Sequence, residues 1–238
     1  MQKQTEIENK KFGWHQIIRN AVGIGLIILI VIISACSTSK PIKKFPVSMG
    51  AGTLLILPFK NMSTVYGINQ NVRSPLSGSF FTTGGVSSEA EQSMTKNMSA
   101  LLQKCAQYIF ISGTKARSVM AGAFAENRNP VQMREHLVRI GQQLGADWVV
   151  AGGIYRFKER IGGTMSVKTP ASAAFDIALI DVSNARLLWT GHFDETQKPL
   201  SENILDFGSF VKRQGKWVSA DELTRLAMKE MFKNCVKR

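Results

Sequence analysis

Residues able to do chemistry are scarce in this chain. Histidine and cysteine occur three times each in 238 residues, and His15 lies ahead of the long apolar segment, which leaves His136 and His192 to the body of the protein. His136 flanks an apolar helical stripe and reads as a partly buried packing residue. His192 and Asp194 are two apart on an expected strand, hence on one face, but two ligands are too few for zinc, which takes three or four. There is no G-x-S-x-G elbow and no G-x-x-x-x-G-K-[ST] phosphate loop. Asp194 and Glu195 are adjacent, and neighbours on a strand point to opposite faces, so they cannot flank one glycosidic bond. No catalytic residue, metal or cofactor is expected.

Acidic residues are also few, 17 against 30 basic, for a formal net charge of +13. No internal repeat is present, and no heptad pattern is long enough for a coiled coil. One long apolar run stands out, Ala21 to Ala35, broken only by glycine and Ser34. As a helix it would reach roughly 22 Å, short of the ~30 Å hydrocarbon core of a bilayer. A permanent membrane-spanning helix is therefore the weaker reading.

The flanks of that run point to export. Lys3, Lys10, Lys11 and Arg19 precede it, offset by Glu6 and Glu8, so the amino end stays cytoplasmic and the remainder crosses the membrane. A positive leader, a short apolar region and small residues at its end together describe a secretory signal. Ile33-Ser34-Ala35-Cys36 resembles the bacterial lipoprotein signal: an aliphatic residue, two small ones, then the lipidated cysteine. The resemblance implies a diacylglycerol on the Cys36 thiol, cleavage after Ala35 and acylation of the freed amine. At about 0.8 kcal/mol per buried CH₂, several chains hold a protein stably. Ser37, where lipoproteins retained in the inner membrane usually carry Asp, implies an outer-membrane location facing the periplasm. The expected division is a signal over 1–35, a lipidated cysteine with a flexible tether over 36–52, and one domain over 53–238.

Export narrows the partners. Nucleic acid is excluded, and the charge of about +11 left on the exported part can face lipid headgroups, peptidoglycan carboxylates or acidic protein, or serve only solubility. Cys105 and Cys235 both fall on apolar helical stripes in a compartment that permits disulfides. They read either as a bridge or as two buried thiols.

Within the domain, "TLLILPF" (53–59) has the continuous apolar pattern of a strand covered on both faces, with Pro58 at its end. Residues 60–86, rich in Gly and Asn, read as a long loop. Ser88 and Glu91 form a capping-box pattern ahead of a helix carrying Ala90, Met94, Met98, Leu101, Leu102 and Cys105 on one face. "YIFIS" (108–112) is a second strand, and a short helix is expected over 116–124. Asn129-Pro130 starts a helix with Met133, Leu137, Ile140 and Leu144, ended by Gly145. "DWVVAGGIYRF" is a third strand, its small residues allowing a helix to approach. Residues 173–191 are two strands around a turn at Ser183-Asn184, with Phe175, Ile177 and Leu179 alternating against Asp176 and Ala178. Ser219 and Glu222 cap a last helix through Leu223, Ala227, Met231 and Cys235. This order predicts an α/β fold, a mixed sheet with helices packed on it.

Three segments carry a family likeness. "LLILPFKNMS" resembles the strand-plus-PFxN opening of the TolB amino-terminal domain and of the curli-export lipoproteins. "GQQLGADWVVAGGI" is similar to their helix, Leu-Gly-Ala-Asp and strand, and "IALIDVSNARLLWTGHFD" to their hairpin ending in tryptophan. The resemblance implies a lipid-anchored, outer-membrane α/β domain that assembles with envelope protein partners and catalyses nothing. Self-association stays open. An export-pore subunit is the alternative, with 60–86 and 156–172 as membrane hairpins, although both show sparse apolar alternation. An envelope hydrolase is weaker still. Phe207, Phe210, Lys212, Arg213, Lys216 and Trp217 mix aromatic and basic side chains and form the candidate partner surface; a loop that folds its aromatics onto the core is the other reading.

Overall fold

Strand β1, Gly52–Ile56, lies inside a mixed sheet because its side chains are apolar in both directions. Leu54 and Ile56 enter one core, and Leu55 and Leu57 enter the other. In the computed structural model the described residues are 42–46, 50–105, 108–111, 129–163, 167–197 and 217–236, without the side chains of 235 and 236. The signal segment with Cys36, the helix expected over 116–124, and Phe207, Phe210, Lys212, Arg213 and Lys216 all lie outside them.

Beyond β1 come β2 (Lys60–Asn61), α1 (Ser63–Tyr66), β3 (Asn71–Arg73), β4 (Phe80–Thr82), α2 (Ala90–Leu102), β5 (Tyr108–Ile111) and α3 (Pro130–Gln143). They are followed by β6 (Trp148–Lys158), β7 (Ile161–Gly162), β8 (Val167–Thr169), β9 (Ser172–Asp181), β10 (Arg186–Thr196), α4 (Ala220–Met231) and α5 (Lys233–Val236). The main sheet runs β10-β9-β6-β1-β5. β1 is parallel to β5 and β6, whereas β9 is antiparallel to both β6 and β10. Pro58 interrupts the first strand, and β2 resumes the pairing further along β6. The fold is a mixed α/β sheet with helices on both faces.

The first face is covered by α2, through Met94, Met98 and Leu102, and by α4, through Ala227, Met228 and Met231. The second face is covered by α3, through Met133, Leu137 and Ile140, and by the β3–β4 hairpin. Asn129 Oδ1 accepts the Val131 N–H at 2.8 Å with Pro130 at the first helical position, and Ser219 Oγ accepts the Glu222 N–H at 3.1 Å, so both of these helix starts form as their sequences require. The Ser88/Glu91 box does not form. α2 begins after Glu89 without a side-chain cap, because the Glu91 carboxylate instead accepts the Asn61 N–H of β2 at 2.6 Å.

Three further readings change. Residues 42–46, expected within a tether, belong to the domain: Phe45 is fully buried, and its N–H donates to Met231 O at 2.8 Å. The segment 60–86 holds α1 and a hairpin rather than a plain loop. At Gly152 of β6 the neighbour is a side chain, since a Cβ there would stand 2.3 Å from the Phe59 ring, while α3 packs on β6 through the contact of Gly141 with Val149. The two hairpins considered for a pore, β3–β4 and β7–β8, have strands of three residues or fewer. At ~3.4 Å per residue these reach roughly 10 Å, where a bilayer-crossing strand needs about 9–11 residues.

Candidate functional site

The turn between β3 and β4, residues 74–79, lies over the second face of the sheet. Ser74 N–H donates to Ser79 O at 2.8 Å, and Gly78 takes the left-handed conformation that lets the chain reverse (φ +74°). Val72 and Phe81 point inward, while Arg73 and Phe80 point to solvent. Phe81 stacks on Tyr155 with ring centroids 4.1 Å apart and planes within 9°. At the base of the hairpin the Arg156 guanidinium donates to Thr82 O at 3.0 Å and to Ser172 Oγ at 2.5 Å, and it pairs with Asp194. Asp194 thus ties the edge strand to the hairpin, and the adjacent His192 is exposed on the same strand. His136 is half buried on α3, beside Arg139. Among the described residues no three metal-ligating side chains cluster.

Beneath the turn sits a carboxylate that sequence alternation assigns to the polar side of its strand. Asp176 is fully buried, because β9 is flanked by β6 and β10 and covered on both faces. Both Ser74 Oγ and Ser77 Oγ (2.6 Å) donate to its Oδ2. Its Oδ1 makes no hydrogen bond among the described residues. Gly153 opposite leaves room for the group: a Cβ there would lie 3.2 Å from Asp176 Oδ1 and 3.4 Å from Tyr155 Oη. Burial pushes the Asp176 pKa up to about 6, against the pull of the two hydroxyl bonds. Burial first, and the Asp176 charge second, push the Tyr155 phenol well above its ordinary value. Asp176, Tyr155 and Ser74 have no route to solvent, so they fix the turn rather than touch a bound molecule.

The other side of that turn forms one wall of a pocket of about 160 Å³, closed by the first half of α3 and by β9–β10. Its floor is buried and apolar, built from Leu76, Met133, Leu137 and Ile180. Arg73 and Arg134 stand in its lining, which contains no acidic residue. Arg73 Nε donates to Gly78 O at 3.3 Å, and among the described residues neither arginine pairs with a carboxylate. The pocket draws on four separate segments, and of its lining the sequence names Pro130, Met133 and Leu137 only as a helix start and an apolar stripe. Trp217 is half buried just ahead of α4 and does not line it.

Cys105 is buried and disulfide-bonded. Among the described residues no helix is long and apolar enough to cross a membrane.

No protein-family model matches the sequence. No curated protein matches it either. Solved structures similar to the chain include the PelC dodecamer from Paraburkholderia phytofirmans, at 11% identity and TM-score 0.45 over 83% of this chain and 96% of that one. The lipoprotein GNA1162 from Neisseria meningitidis has 16% identity and TM-score 0.37 over 68% and 96%. The LpoB C-terminal domain from Salmonella enterica has 15% identity and TM-score 0.33 over 63% and 87%.

Proposed function

We propose that the chain is a lipid-anchored, non-catalytic binding module of the bacterial envelope, fastened to the outer membrane through acyl chains on Cys36 and facing the periplasm. The observation that carries this reading is Ile33-Ser34-Ala35-Cys36 at the end of an apolar run too short to span. The pocket supports it, offering two cations over an apolar floor. The TolB-like order of three segments supports it as well, since all three lie in one sheet as β1–β2, β6 and β9–β10. Envelope proteins or peptidoglycan are the partners this chemistry suits. In cells fed an alkyne-tagged palmitate, the full chain is expected to incorporate the label. Cys36→Ser should abolish incorporation and leave residues 1–35 uncleaved. Labelling that survives Cys36→Ser, or never occurs, rejects the anchor.

The disulfide at Cys105 supports passage into an oxidising compartment. We assign its partner as Cys235, the cysteine of α5, an element that packs against α2. Peptide mapping of unreduced protein should recover the two cysteine peptides joined; free thiols at either position, or a link to another cysteine, would refute the pairing.

A further inference from the structure

A pocket lies between the 74–79 turn, α3 and β9–β10. Its volume of about 160 Å³ is close to the ~150 Å³ of an apolar cavity that holds one benzene. It therefore suits one large side chain and is too small for a nucleotide or sugar cofactor. Met133 and Leu137 are fully buried at its floor, while Leu187, 37% exposed, carries the apolar wall outward. Arg73, from β3, and Arg134, from the start of α3, stand beside it without acidic partners among the described residues. An apolar hole flanked by two guanidinium groups is complementary to one anionic group next to one large apolar group.

We propose that this pocket docks a protein partner through an acidic peptide segment, with a leucine- or phenylalanine-sized side chain filling the hole and an adjoining carboxylate meeting Arg73 and Arg134. The planar guanidinium fork matches a carboxylate in geometry as well as in charge. Ser77 lies in the pocket wall and is bonded to Asp176, so the buried carboxylate holds one side of the mouth in place. The inference deepens the reading of a binding module but does not involve Cys36.

The test uses the full chain in lipid nanodiscs with ¹³C-methyl methionine, the Met133 signal being assigned by its loss in Met133→Leu. The probes are N-acetyl-leucine, its uncharged amide, hexanoate, and a tripeptide of leucine between two glutamates. The Met133 methyl is expected to shift saturably with N-acetyl-leucine and at lower concentration with the tripeptide. Arg73→Gln and Arg134→Gln should each weaken binding about fivefold, the scale of a partly exposed ion pair. The Met94 and Met98 signals should stay in place and report an intact core. The proposal is overturned by an unresponsive Met133 methyl, by equal binding of the acid and its amide, by affinities unchanged in both arginine variants, or by hexanoate binding more tightly than the tripeptide. Palmitate labelling of the arginine variants is expected to be normal, so a failure here leaves the anchor reading standing.

Discussion

Phe45→Ala is expected to lower the stability of the domain by about 3–5 kcal/mol, as for other fully buried phenylalanines. The ring is 0% exposed and meets Trp189 edge-on at 5.2 Å and Phe232 at 5.1 Å. Truncation would leave a cavity among residues of β10 and the end of α4 and would also forfeit the aromatic contacts, worth roughly 0.5–1.5 kcal/mol per pair. Lys44, next in the chain, is exposed, and Lys44→Ala should change stability by no more than about 0.5 kcal/mol. Equilibrium urea unfolding of both variants decides the matter. Equal midpoints for Phe45→Ala and Lys44→Ala would return residues 42–46 to the status of a tether.

Asp176 should make the protein less stable as the solution turns from acid to neutral. Its pKa lies at about 6 in the folded state against an ordinary value of 3.8. Between those values the folded state keeps a proton that the unfolded state has lost, so stability falls as pH rises through the window. Two pKa units amount to about 3 kcal/mol in all, with roughly 1 kcal/mol of it between pH 5 and 7.5. Asp181 acts at the other end: bonds from Ser183 and Asn184 lower its pKa, so its contribution is present above the ordinary carboxylate range and is lost in stronger acid. Asp176→Asn isolates the buried group. The amide oxygen can accept from Ser74 and Ser77, and the amide N–H can face Tyr155 Oη. This variant should be at least as stable as the parent at pH 7.5 and should lose the parent's decline between pH 5 and 7.5. A parent and a variant with parallel stability profiles over that range would show that Asp176 does not titrate as described.

The elements legible in the sequence are those whose signal is local. Asn129-Pro130 names a helix start by itself, the four apolar residues 54–57 require cover on both faces, and Ser183-Asn184 sits at the turn between β9 and β10. β3 and β4 escape notice because each has three residues and sends only one inward, Val72 or Phe81, which is too little to show a period. Phe45 has only Ile42 and Val47 as apolar company among lysines and prolines, and its partners lie far along the chain. Asp176 follows the alternation of its strand, and only the hairpin laid across it removes it from water. The hydroxyls that compensate come from "SPLSGS", whose serines and glycine signal a turn but say nothing about what the turn covers. The pocket is the extreme case, since its walls meet only after the sheet and α3 have packed.

The bond from Phe45 to Met231 spans nearly the whole domain, and β1 pairs only with strands that follow it by dozens of residues. Non-local pairing of this kind makes folding slow. A chain entering a new compartment amino end first would therefore expose its earliest strand, unpaired on both sides until β5 arrived and on one side until β6 followed, and could close the first core only once α4 had followed. On the proposed route of export, maturation of this domain would be coupled to completion of its transit, and a chaperone that shields an unpaired apolar strand would act on the emerging first third of the domain.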